Sequence, residues 1–161
     1  MTESARGRTV VEAVGHLAVV LGLVFVGMEV RQNTTATRSA IQQAVFEGGV
    51  EANVTVMNNQ RLRELIVMTD QDPTWAATAP RDADYLLLQR FYLNRFNNLE
   101  NAYYHYLQGT YDPEVWAGQA GWVGLLSDDP RMSHFWSDLR PAFMPQFQVF
   151  MDSALAAGEP T

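Results

Sequence analysis

The chain contains no cysteine, no lysine and no proline before Pro73, and only three histidines in 161 residues. Without cysteine there are no disulfides, no thiolate metal sites and no thiol nucleophile. A cysteine-free chain suits either side of a membrane, so the compartment stays open. All 11 basic residues are arginine, which removes the Gly-rich phosphate loop that ends in Lys-Ser/Thr; the arginine preference itself is read as coding bias. The histidines, His16, His105 and His134, stand in no Glu-x-x-His or His-Glu-x-x-His pattern, so the signature of a helical di-metal site is missing. Glu100 and His105 are five apart, which is not a same-face helical spacing. No Gly-x-Ser-x-Gly elbow occurs either. A non-enzymatic protein is the expectation, with no cofactor and no metal.

Positive charge is also scarce. The formal net charge is −7 and is unevenly placed. Residues 1–38 hold four Arg against three Glu, whereas residues 39–161 hold seven Arg against 15 acidic residues. Phosphate backbones require a basic surface, so no nucleic-acid partner is expected. The acidic body equally opposes docking onto anionic lipid headgroups. Asn33-Thr34-Thr35 and Asn53-Val54-Thr55 match the glycosylation sequon, a match that chance supplies often.

What is present begins with an apolar run. Between Glu12 and Glu29 lie 16 residues without formal charge, Ala13 to Met28. As a helix they span about 24 Å at 1.5 Å per residue, somewhat short of a hydrocarbon core of about 30 Å. Val10, Val11 and Val30 extend the apolar surface, and Arg8 and Arg31 reach toward the two interfaces. The run is apolar on every helical face, which favours a transmembrane anchor. A buried soluble helix is the alternative, since runs under about 18 residues often are that. A cleaved signal peptide is disfavoured, because the run passes directly into Glu29-Val30-Arg31 without a small-x-small pattern. His16 lies near one end of the span, where it reaches the interface. Ala18 and Gly22 form a small-xxx-small pair, with Gly15 and Gly27 beside it, a spacing that lets helices approach closely in lipid. Small residues are also simply common in such helices. Arg6 and Arg8 before the run balance Arg31 and Arg38 after it, so the positive-inside rule leaves the side of the soluble part unresolved.

Beyond the run, an apolar stripe through Ile41, Val45, Gly48, Ala52 and Val56 predicts that the first helix continues from about residue 9 to 57, about 70 Å in all. Gly48-Gly49 marks a bend or a close-packing point. A helix over about Asn59–Thr69 follows, with Leu62, Leu65, Ile66 and Met68 inward, then a link to Pro80. A third helix, about Pro80–Gln108, carries Leu88, Tyr92, Leu99, Ala102, Tyr103 and Tyr106 on one face, and Gly109 stops it. Asp112-Pro113 opens a fourth, expected to bury Val115, Trp116, Trp122, Val123 and Leu126. Asp129-Pro130 opens a fifth with Met132, Phe135, Trp136 and Leu139, ending at Pro141. The last carries Phe143, Phe147, Phe150, Met151 and Leu155. These aromatics fall at helical spacing and are read as core, with any surplus forming a docking face. No segment alternates with period two and no repeat of fixed period is visible. The expected fold is all-α: one N-terminal transmembrane helix continuing into a bundle of about five further helices. Residues 1–31 form the N-terminal segment and anchor, 32–157 the bundle, and 158–161 a frayed tail.

Arg95 is the most unusual residue of the third helix, in line with Tyr92, Leu99 and Ala102 on a largely apolar face. A buried guanidinium requires partners. Three arrangements meet that need: an internal Arg–acid pair that fixes packing, an anion-holding pocket of Arg95, Asn98 and Tyr103, or an exposed head over a packed stem.

The junction Phe25-Val26-Gly27-Met28-Glu29-Val30-Arg31-Gln32-Asn33-Thr34 resembles that of a widespread family of short, uncharacterised bacterial proteins. These have an N-terminal membrane helix, an (E/Q)-(I/V)-R-Q-N-T segment and an all-helical domain. Arg95-Phe96, Glu100, Tyr103, Gly109, Asp112 and Trp116 extend the resemblance over most of the chain. It implies a single-pass membrane protein, in a bacterial inner membrane, and brings no catalytic residues. The leading expectation is therefore association. The partners would be the lipid bilayer and other membrane subunits met through the anchor, or a second copy of the chain. The alternative is a membrane-anchored sensor with a small-ligand pocket in the bundle.

Overall fold

A computed structural model describes residues 3–127 and 129–157, with side chains described from residue 15 onward except those of 125 and 126. The expected tail, 158–161, lies outside the described residues. The described residues are helical throughout their regular structure, with no strand among them. Seven α-helices occur among the described residues: α1 (Glu3–Asn58), α2 (Gln60–Gln71), α3 (Trp75–Thr78), α4 (Ala83–Leu107), α5 (Pro113–Leu126), α6 (Pro130–Leu139) and α7 (Pro145–Ala156), with a 3₁₀ turn at Arg140–Ala142 before the last. Six helices thus follow the first, where about five were expected. The additional one is α3, a single turn inside the stretch read as a link. Four residues are too few to display a helical period.

By compactness the chain divides into residues 1–40 and 41–161. In the first unit, every large apolar side chain from Leu17 to Val30 is more than half exposed. α1 is the one described helix long and apolar enough to cross a membrane.

The second unit is a bundle built from local start and stop signals. Asn59 caps α2 by accepting from the Leu62 amide at 3.0 Å. Asp82 accepts from the amides of Asp84 and Tyr85 at the head of α4. Asp112 and Asp129 do the same for α5 and α6, each followed by proline at the first helical position. At the start of α7 the capping group is distant in sequence: the Glu100 carboxylate accepts from the Met144 amide at 2.7 Å. α4 ends at Gly109, whose φ of +67° is left-handed and favours glycine at that place.

The aromatics form the core. Phe96, Phe135 and Phe147 are fully buried. Tyr92 stacks on Phe135 with centroids 4.7 Å apart, and Tyr103 stacks on Phe150 at 5.1 Å. Trp116 packs between Tyr103, Tyr106 and Phe150. A smaller cluster joins Val45 of α1 to Ala102, Tyr111 and Trp116. Three expected core residues are corrected: Met68 is 36% exposed, Val115 45% and Trp122 61%; the side chain of Leu126, also expected inward, lies outside the described ones. α5 reads Pro-Glu-Val-Trp-Ala-Gly-Gln-Ala-Gly-Trp-Val-Gly-Leu-Leu. It has almost no polar face to show which side is solvated.

α1 meets α4 where a side chain is missing. Asn98 Nδ2 donates to the Val45 carbonyl at 3.2 Å, and a Cβ added at Gly48 would lie 2.6 Å from that nitrogen. Gly48 is thus a close-packing point. Beside it, a Cβ at Gly49 would meet nothing within 4 Å.

Candidate functional site

The site built most fully by the second unit is a groove with walls from α1, α2, α4, α5 and α6. It has two lobes, of about 310 and 610 Å³, in the range of small-molecule sites. Gly49, Arg95, Phe96, Asn98, Gln119 and Trp122 line both. The smaller lobe is walled mainly by Leu99, Val115, Val123 and Met132. The larger adds Tyr92, Asn53, Asp129 and Arg131.

Two arginines face this groove in different states. Arg131 of α6, with 15% of its side chain exposed, pairs with Asp129 and Asp70. Its Nη1 also donates to Thr69 Oγ1 at 2.9 Å. The bond to Asp129 is the main reason its pKa is raised. This is an Arg–acid packing pair of the kind weighed for Arg95, placed instead where α6 meets α2. Arg95 of α4 has no carboxylate within ion-pair distance among the described residues. Its Nη2 donates to Asn53 Oδ1 at 2.9 Å, and its guanidinium lies 5.1 Å from the centroid of Phe91. Arg95 is an exposed residue, so of the three expected arrangements the exposed head over a packed stem is the one found; partial desolvation lowers its pKa from the ordinary value. Nearby, burial above all raises the Tyr92 phenol, with Asp129 adding to the effect.

Arg95 and Asn98 therefore line the same groove, but Asn98 spends its amide on the α1 backbone. Tyr103 points elsewhere, into the aromatic stack with Trp116 and Phe150. Gln119, which the sequence did not single out, has its Oε1 buried without a hydrogen-bond partner among the described residues. No local pattern marks such a residue.

A second polar cluster joins α4 to α6. The Tyr85 hydroxyl donates to Asp138 Oδ2 at 2.7 Å and lies 3.1 Å from His134 Nε2. Arg81 pairs with the same carboxylate at 2.8 Å. Burial, then Asp138, pushes the Tyr85 phenol up to about 12. The Tyr85 bond in turn holds Asp138 below the ordinary carboxylate value. A phenol so hard to ionise is a poor acid or base near neutrality, and the cluster works as a latch between helices. Groups of three or more His, Asp or Glu side chains able to hold a metal are absent among the described residues.

In the first unit, Gly15, Ala18, Gly22 and Gly27 are all exposed. A Cβ at any of the three glycines would meet nothing within 4 Å. Their small faces are open to an approaching helix. No family model, no curated protein and no solved structure matches the chain.

Proposed function

We propose that this protein is a single-pass, membrane-anchored helical protein that acts by association rather than catalysis. It would be an accessory subunit of a larger membrane assembly, or a homo-oligomer. The observation that carries this reading is the exposure of ten large apolar side chains between Leu17 and Val30. A water-soluble surface rarely leaves a continuous apolar patch of that size uncovered, and hydrocarbon is the solvent that removes its cost. Within that surface, Gly15, Ala18, Gly22 and Gly27 offer a helix–helix contact. In lipid such contacts rest on close packing, since apolar side chains gain nothing over the surrounding tails. The (E/Q)-(I/V)-R-Q-N-T junction supports the same setting, a bacterial inner membrane.

The test is native purification from membranes in a mild detergent, with the mass of the protein in the micelle and the identity of co-purifying chains as the readouts. An assembly heavier than one 18.1 kDa chain is expected, weakened by Gly22→Ile. A monomer with no companion protein overturns the association reading.

A second reading, a membrane-anchored sensor or binding module, is favoured by one observation: the groove around Arg95. It places a cation without an acidic partner on a concave wall, in a part of the chain that is otherwise strongly acidic.

A further inference from the structure

We infer that the groove takes a small monoanionic acid with a flat apolar body. Arg95 would hold the carboxylate. This inference rests on the binding-module reading and is independent of how the anchor associates.

Charge accounting comes first. Residues 39–161 carry more than two acidic residues for each arginine, yet the larger lobe is lined by two arginines and one aspartate. Arg131 is already neutralised by Asp129 and Asp70. That leaves Arg95 as the groove's uncompensated cation. Its geometry suits a carboxylate. Asn53 occupies Nη2 alone, so Nη1 and Nε remain without a protein acceptor among the described residues. Asn53 and Phe91 hold the guanidinium from two sides, which fixes a planar fork before any ligand arrives.

The remaining walls define the rest of the ligand. Phe96, Leu99, Val123 and Met132 give the smaller lobe an apolar lining. Trp122, 61% exposed, lines both lobes and offers a flat face to stack upon. One cation and an apolar lining together match one acid group on an apolar ring system. A volume of about 310 Å³ sets the scale at a single-ring or two-ring compound.

The experiment uses the full chain in nanodiscs of phosphatidylcholine, with empty nanodiscs as the partition control. The probes are 3-(4-hydroxyphenyl)propionate and its uncharged primary amide, followed by calorimetry at neutral pH. We expect saturable binding of the acid at one per chain, with the amide at least tenfold weaker. Arg95→Gln should erase that preference. Gly118→Leu should abolish binding of both probes. A Cβ there meets nothing within 4 Å, so the helix tolerates the substitution and its side chain fills the smaller lobe. Circular dichroism of each variant checks the fold. An amide that binds as tightly as the acid, or an acid that binds Arg95→Gln unchanged, overturns the acid assignment while leaving a groove that binds. Absence of saturable binding by either probe overturns the inference and the binding-module reading together, and leaves the association reading to its own test.

Discussion

Adjacent glycines in one helix should respond to the same substitution with opposite signs. Gly48 and Gly49 both lie within α1, where replacing glycine by alanine ordinarily stabilises by about 1 kcal/mol. At Gly49 nothing lies within 4 Å of the new Cβ, so the full gain of about 1 kcal/mol is expected. At Gly48 the new methyl would sit 2.6 Å from Asn98 Nδ2, and the amide must swing away. That breaks its bond to the Val45 carbonyl, worth about 1 kcal/mol. It also leaves a half-buried amide to find another partner, for about a further 1 kcal/mol. Set against the helix gain, Gly48→Ala should be destabilising by about 1 kcal/mol, which puts the two variants about 2 kcal/mol apart. Equilibrium urea unfolding of the full chain in a mild non-ionic detergent, followed by tryptophan fluorescence, would show this. With an m-value of about 2 kcal/mol per molar, the midpoints separate by about 1 M. In an Asn98→Ala background the obstruction is gone, and Gly48→Ala should stabilise as Gly49→Ala does. Equal stabilisation by both alanines in the wild-type background would refute the close approach of α1 and α4 at Gly48.

Three further outcomes follow from the bundle's polar contacts and turns. Arg131→Met should lower stability by about 2 kcal/mol, because Thr69 and Asp129 lose a partly buried partner; Arg140→Met, at an exposed ion pair with Asp152, should change the urea midpoint little. Tyr85→Phe should cost about 1–2 kcal/mol near neutral pH. Asp138 is held below its ordinary pKa, so its stabilisation is complete above the unfolded value of about 3.9 and is lost as pH falls through the depressed folded value; the Tyr85→Phe penalty, read from urea midpoints across an acid titration, should shrink over that window. Gly109→Ala should lower the melting temperature through the cost of about 1–2 kcal/mol for a left-handed alanine, with no steric contribution, since nothing lies within 4 Å of its Cβ.

What the sequence made legible is what is local. Asp112-Pro113 and Asp129-Pro130 announce α5 and α6 because an N-cap and its proline act within three residues of each other. Gly109 announces the end of α4 for the same reason. The aromatic core followed from spacing alone, as with Phe143, Phe147 and Met151, all now buried together. What escaped depends on distance or on missing contrast. Arg131 bonds Thr69 across 62 residues, so its role at the α6–α2 contact left no local trace. The α7 cap comes from Glu100, 44 residues upstream. Val115 and Trp122 were placed inward because α5 carries apolar or small residues around most of its circumference. Their exposure is what opens the groove, and Gln119 belongs to it only through neighbours on other helices. Arg95 was legible as an anomaly, but its partner, Asn53, was not.

The central claim is that the apolar segment of α1 lies in hydrocarbon, and the chain's lack of cysteine makes a direct test clean. Single cysteines replacing Val20, Val24 and Thr35 would be challenged with a membrane-impermeant maleimide in vesicles broken open so that both faces are accessible, and again after detergent is added. The account predicts that Thr35→Cys labels in both conditions, whereas Val20→Cys and Val24→Cys label only in detergent. Labelling of Val20→Cys and Val24→Cys in opened vesicles to the same extent as Thr35→Cys would contradict the membrane anchor and, with it, the association proposed for this protein.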